Sequence, residues 1–148
     1  MVEFLEVTQD KFTFKVATDR VYSADGVWVK IDGEHVKLGV SDFFQQHNGD
    51  VAFVEIVAVE TAVIPNETIA TIETIKVDIE LPSPISGTVI AVNDALEMEA
   101  ELINADPYGD GWLLVIAVVD WEAEQADLMS PEAYLAHMQY QIQEEGII

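Results

Sequence analysis

The chain has 148 residues, half of them apolar, with 28 aspartates and glutamates against six lysines and arginines, a net charge of −22 and no cysteine. That length fits one domain with its own hydrophobic core. The acid excess excludes nucleic acid and anionic membrane surfaces as ligands, because both need clustered cations, and the missing cysteine excludes disulfides, thiolate catalysis and zinc–cysteine sites. Such acidity reads first as a solvated surface suited to high salt, and second as a face for basic partners. The N-terminus lacks the basic start and long apolar run of a secretory signal. No segment approaches a membrane span. The expectation is a cytoplasmic monomer.

In chain order, Phe12, Phe14 and Val16 alternate as in a strand, inside residues 1–20, which read as an N-terminal extension. Val27–Ile31 and His35–Val40 follow, and Asp32-Gly33 between them is the clearest tight hairpin. Ser41 is placed to cap a short helix that reaches His47 and stops before Asn48-Gly49. Val51–Val57, Thr68–Thr74, Val77–Leu81, Gly87–Val92 and Trp112–Val119 read as strands separated by turn residues, which predicts a small barrel or sandwich rather than βαβ units. Asp94–Glu99 reads as a helical turn or two. Ser130-Pro131-Glu132 is a helix start, with Ser at the cap, Pro at the first helical position and an acid in the first turn. Tyr134, Leu135, Met138 and Ile142 then recur on one face over about 130–145, a stripe that packs on the β core.

Candidate chemistry is sparse. His35, His47 and His137 lie far apart with no ligand spacing and read as lone surface residues. Asn104 to Gly111 resembles an acidic calcium loop only faintly, because it lacks alternating oxygen ligands and a closing Glu, and Pro107 intrudes. There is no Gly-rich phosphate loop, nucleophile elbow or metalloprotease helix. The expectation is a protein that is not an enzyme in its own right and holds no metal.

One charge is out of place. Lys76 is the only cation from Leu38 to the C-terminus, a stretch with 21 acids; the other five (Lys11, Lys15, Arg20, Lys30, Lys37) precede Leu38 among seven acids. Ile75, Val77, Ile79 and Leu81 alternate with Lys76, Asp78 and Glu80, so strand periodicity puts Lys76 outward. On spacing alone it is an exposed strand lysine making weak ion pairs with Glu73, Asp78 and Glu80.

The flanking sequence changes that reading. Glu73-Thr74-Ile75-Lys76-Val77, followed by Ser83-Pro84-Ile85-Ser86-Gly87-Thr88-Val89, resembles the lipoyl-attachment region of the glycine cleavage system H protein family, which reads E-S-V/I-K-A and then S/A-P-V-S-G-x-V. Asn93-Asp94-Ala95-Leu96, Glu101-Leu102-Ile103-Asn104 and Asp106-Pro107-Tyr108-Gly109-Asp110-Gly111-Trp112-Leu113 are similar to the family's next motifs at the same spacing. Upstream, Val40-Ser41-Asp42-Phe43-Phe44 and Gly49-Asp50-Val51-Ala52-Phe53-Val54-Glu55 match as well, and Pro131-Glu132-Ala133-Tyr134 matches near the end. The likeness runs from about Val21 to Tyr134. The chain departs from the family at Gly26 and Val27, which stand where H-E-W has His and Glu. It departs again at Val57 and Glu60, in place of a Pro and a Gly, at Val77 and at Ala100.

The resemblance implies a mainly β fold of the biotinyl/lipoyl-carrier type, a flattened barrel or sandwich (barrel-sandwich hybrid) with flanking helices including a C-terminal helix. It implies a carrier domain over 21–148 and Lys76 at the tip of a β-hairpin, although no Gly, Asn or Pro marks a turn at 74–77. It implies lipoate attached covalently to Lys76 by lipoate attachment enzymes. The partners implied are glycine decarboxylase, aminomethyltransferase and dihydrolipoyl dehydrogenase, among which the arm would carry an aminomethyl group. A second reading is the lipoate-binding protein of a sulfur-oxidising pathway, carrying sulfur to a heterodisulfide-reductase-like complex. A third is an unmodified binding module.

Overall fold

Two short antiparallel sheets share one apolar interior in the computed structural model, which describes residues 2–145. Met1 and the last three residues of the expected 21–148 domain lie outside the described residues. The larger sheet has six strands in the order β3 (Val21–Tyr22), β4 (Val27–Asp32), β5 (His35–Val40), β11 (Leu114–Val118), β10 (Gly87–Val92) and β7 (Ala62–Val63). The smaller has three, in the order β6 (Val51–Ile56), β8 (Thr68–Thr74) and β9 (Asp78–Pro82). Neither sheet closes on itself, so the architecture is a sandwich rather than a barrel. Val29, Leu38, Leu114 and Ile116 of the first sheet meet Val54, Ile72 and Leu81 of the second in the main core.

The hairpin of β4 and β5 forms where expected, with its turn one residue later than Asp32-Gly33. Pairing continues to Asp32 opposite His35, so the two-residue turn is Gly33-Glu34, with Gly33 at φ 65°. The C-terminal helix also forms, as α4 (Pro131–Glu145), with the Ser130 hydroxyl accepting from Ala133 N at 3.1 Å. Shorter helical pieces differ from expectation. The 94–99 segment is a 3-10 turn, Asp94–Glu97, and two further short helices, α2 (Leu102–Ala105) and α3 (Trp121–Gln125), lack the apolar periodicity that would reveal them.

Within the 1–20 extension, residues 4–17 build a second layer. β1 (Phe4–Gln9) pairs with β2 (Phe12–Ala17) as an antiparallel hairpin. Strand β4 explains why it is needed: Val27 and Val29 belong to the main core, whereas Trp28, between them, is buried on the opposite face. A strand buried on both faces needs cover on both. Phe14 and Val16 of β2, and Tyr134, Met138 and Ile142 of α4, supply it, together with Phe43 of α1 (Asp42–Asn48). Gly39 of β5 lets the Trp28 indole lie directly on the backbone, because a Cβ there would overlap the ring. Trp28 Nε1 donates to Pro107 O at 3.0 Å, so the burial leaves no orphaned donor.

The free edge of β2 is closed by side chains. Asp42 accepts from Lys15 N at 2.9 Å, Tyr108 donates its hydroxyl to Lys15 O at 2.7 Å, and Tyr22 donates to Ala17 O at 2.7 Å. Phe14 is 1% exposed, so Phe14→Ala should cost about 3–5 kcal/mol in urea unfolding. A change near zero would show that the hairpin is an appendage outside the cooperative unit.

Three tyrosines of this second core are held neutral by burial. Tyr22 and Tyr134 are pushed above the normal tyrosine range, and Tyr108 is pushed up to about 12. A folded pKa above the unfolded value of 10.0 means stability that is complete below pH 10 and lost as pH rises toward 12. Unfolding free energy measured against pH should therefore be level through the neutral range and fall beyond pH 10.

Candidate functional site

Lys76 sits at the apex of the β8–β9 hairpin. The ladder between these strands ends at Glu73 opposite Asp78, leaving Thr74 to Val77 as the connection. The Thr74 side chain makes this turn. Its Oγ1 accepts from Lys76 N at 3.2 Å and Val77 N at 3.0 Å and donates to Val77 O at 3.0 Å, while Thr74 N donates to the same carbonyl at 2.9 Å. A hydroxyl of this kind offers the backbone an alternative to the ladder. The turn therefore needs no Gly, Asn or Pro, and Thr74 was the signal to look for.

That competition corrects the strand expected at Val77–Leu81. Strand β9 begins at Asp78, and Ile75 and Val77 are 75% and 46% exposed rather than turned inward. The ion pairs expected for Lys76 do not form either: among the described residues it pairs with no carboxylate. Its Nζ instead donates to His47 O at 3.3 Å.

The His47 carbonyl is available because α1 ends there. Ser41 caps the start of the helix, its Oγ accepting from Phe44 N at 3.1 Å, and Phe43 and Phe44 bury its inner face. Gly49 ends it, donating its N–H to Gln45 O at 3.1 Å. Gly49 has φ 86° and ψ −169°, a region essentially confined to glycine. The last carbonyls of a helix lack partners and carry partial negative charge, which favours an ammonium. The lysine stem lies along Gly49: a Cβ on that residue would come within 3.1 Å of Lys76 Cε. Ile75 N donates to Asp50 O at 3.2 Å and so fastens the turn to the α1–β6 connection.

Four of the other five cations are held differently. Arg20 is buried, with its guanidinium 4.5 Å from the Trp28 ring and 5.2 Å from the Tyr108 ring, and its Nε donates to Asp19 at 2.7 Å. Lys30 reaches the same carboxylate at 3.3 Å. Lys37 and Lys15 lie over the rings of Trp112 and Phe4 at 4.9 and 5.7 Å. These side chains are committed to the fold, whereas Lys76 is exposed and rests on a single backbone carbonyl.

The remaining candidates stay apart. His47 stacks on Phe43, His137 Nε2 lies 3.3 Å from Ala24 O, and His35 is half-buried at the start of β5, with its Nδ1 turned inward. Among the described residues no group of acids and histidines is arranged to hold a metal ion. The faintly calcium-like loop closes on itself, with Asp106 accepting from Asp110 N at 2.9 Å. Asn104 of that segment stands in a family motif but had been given no role: its side chain bonds the backbone on both sides of Asp50. A cavity of about 200 Å³ beside the end of α1 is lined by Gly26, Phe44, His47, Asn48 and Tyr134 among others. Among the described residues no helix is long and apolar enough to cross a membrane.

Comparison with known proteins gives the family and the fold. The family described as "Glycine cleavage H-protein" matches residues 20–141. A probable glycine cleavage system H protein of Haloarcula marismortui is 42% identical over 122 residues, 82% of this chain and 95% of that protein. The glycine cleavage system H protein of Rubrobacter xylanophilus is 39% identical over 84% of this chain and 96% of its own length. The crystal structure of a glycine cleavage system H protein from Mycobacterium marinum superposes with a TM-score of 0.70 at 30% identity, covering 80% of this chain and 95% of that one. With a sequence match, relatives alike over most of both lengths and a shared fold, the chain belongs to the glycine cleavage H-protein family.

Proposed function

We propose that Lys76 is the attachment point of a lipoyl group and that the chain is the carrier subunit of a glycine cleavage system. Position carries the reading: the one cation beyond Leu38 stands at a hairpin apex, exposed and tied to one carbonyl, in a member of this family. The residues present fit the group. An amine without a carboxylate partner can be lifted from His47 O and acylated, and exposed Ile75 and Val77 on either side leave an enzyme free access. When attached, a lipoyl amide supplies a dithiolane that exchanges electrons and carries a one-carbon unit, chemistry that a cysteine-free chain lacks.

The chain's own part is presentation. Thr74 fixes the turn, Asp50 O anchors its first residue, and the rigid β8–β9 ladder carries it away from the core. Acylation removes one positive charge, taking the formal charge from −22 to −23. Like-charged carriers repel one another while basic surfaces attract them, which suits brief docking on several enzymes in turn. The partners proposed are glycine decarboxylase, aminomethyltransferase, dihydrolipoyl dehydrogenase and the lipoate attachment enzymes, with a monomeric carrier working in the cytoplasm. The carrier domain is taken to run from residue 21, with residues 1–20 an extension packed on it. The names of the matched relatives favour this over sulfur carriage.

Intact mass of the protein from its native host should show a lipoyl increment located on Lys76, and Lys76→Arg should fold normally but carry nothing. An unmodified Lys76 in every preparation would sink the reading. Exchange of carbon dioxide into glycine with the decarboxylase should need the modified protein, whereas a sulfur carrier supports none.

Thr74→Val keeps the shape of the side chain but leaves the amides of Lys76 and Val77 without their acceptor. A loss of about 1–2 kcal/mol in stability is expected, with faster amide exchange at those two residues and slower modification by a lipoate–protein ligase. Unchanged exchange at both would show that the hydroxyl does not hold the turn.

A further inference from the structure

We propose that Asn104 is the positioning residue for the arm on Lys76. The inference rests on the reading of Lys76 as the attachment point and adds what fixes the direction in which the arm leaves.

Asn104 lies on α2, directly after Ile103, which is fully buried in the main core. Its side chain makes three hydrogen bonds, two to the backbone that joins α1 to β6 and one to Gln45 of α1. Oδ1 accepts from Val51 N at 2.8 Å, and Nδ2 donates to Gly49 O at 3.0 Å and to Gln45 Oε1 at 3.0 Å. The amide orientation follows from its neighbours, because one N–H faces Oδ1 and two acceptors face Nδ2. Asn104 thus bonds the residues before and after Asp50 and holds that peptide in place.

Apart from Thr74, whose hydroxyl shapes the turn from within, the contacts at the root of Lys76 come from the end of α1 and the connection after it. Asp50 O receives Ile75 N, the Gly49 backbone lies under the lysine stem, and His47 O accepts from Nζ. The line of contact runs from the core through Ile103 and Asn104 to Gly49–Val51, and from there to Ile75 and Lys76. The distances name a single side chain that sets where the apex stands relative to α1. An acylated Lys76 keeps one N–H, so the His47 carbonyl still has a donor to receive. The arm then leaves a fixed root instead of pivoting freely on an unsupported turn.

Few other side chains can do this. Aspartate accepts but does not donate, and would set its charge against Gly49 O and Gln45 Oε1. Alanine leaves Val51 N and Gly49 O without partners.

The test is amide hydrogen exchange on the full chain, with wild type, Asn104→Asp and Asn104→Ala, read at Ile75 and at core residues Ile72 and Leu114. Exchange at Ile75 should accelerate at least about tenfold in both variants while the core amides hold. Attachment by a lipoate–protein ligase, followed by mass, should fall about tenfold in kcat/KM, the scale expected for a small misplacement of a reacting group. Gln45→Ala, which frees one Asn104 donor without touching α2, should shift Ile75 the same way by less and covers the case in which the Asn104 variants fold poorly. Unchanged exchange at Ile75, or a rise shared equally by the core, overturns the proposal, the second result leaving Asn104 only a structural clamp. A wild-type chain that the ligase never modifies refutes the attachment reading instead, and the exchange data still decide the role of Asn104.

Discussion

The first half of strand β4, Val27 to Val29, is buried on both faces, and the arrangement around Lys76 depends on that constraint. Val27 and Val29 point into the main core, so Trp28 must point out of it. An indole left in water there would forgo a large apolar contribution. The β1–β2 hairpin and α4 cover it, and in doing so they hold α1. The Ser41 hydroxyl shows the coupling most directly: it caps α1 through Phe44 N and lies 2.7 Å from the Tyr134 hydroxyl of α4. Asp42 next to it closes the edge of β2. The helix whose last carbonyls meet the lysine is therefore gripped at its first turn by the second core.

Charge is arranged by the same logic. Four of the five cations ahead of Leu38 sit over aromatic rings or against Asp19, where they help hold the second core together. Asp19 is lowered below the normal carboxylate range; its burial alone would raise it, but Arg20 and Lys30 together outweigh that. No comparable web surrounds Lys76. It stands among acids yet bonds a backbone carbonyl, an interaction that does not require a positive charge. Under the proposed attachment, the root of Lys76 must survive loss of the charge, and a hydrogen bond from nitrogen does so where an ion pair would not.

What the sequence disclosed followed the range of the interactions involved. The Gly33 turn, the Ser130 cap and the apolar stripe of α4 are local, each written within a few residues, and all three form. The family motifs located Lys76, and residues 74–77 do form a hairpin apex. Periodicity alone misassigned Ile75 and Val77, because it cannot see that the Thr74 hydroxyl captures the amides that a longer strand would have used. The β1 strand was invisible for a different reason: its inward side is only half-buried, so its alternation is weak. Asn104 was visible as the end of a family motif, but its role was not, since its partners lie 53, 55 and 59 residues away.

A carrier faces opposing demands at its attachment point. The group must reach several enzymes, which favours mobility, yet each enzyme must meet it in a usable pose, which favours a defined root. This fold separates the two. On the proposed reading, flexibility is left to the arm, and the backbone beneath it is fixed by two side chains, Thr74 within the turn and Asn104 from across the fold. A glycine-rich tip would turn as tightly but would let the apex swing, because glycine has the widest backbone freedom. Building the turn from a threonine hydroxyl, and placing the glycine at position 49 under the lysine stem, puts the permissive residue where close approach is needed and keeps it out of the apex.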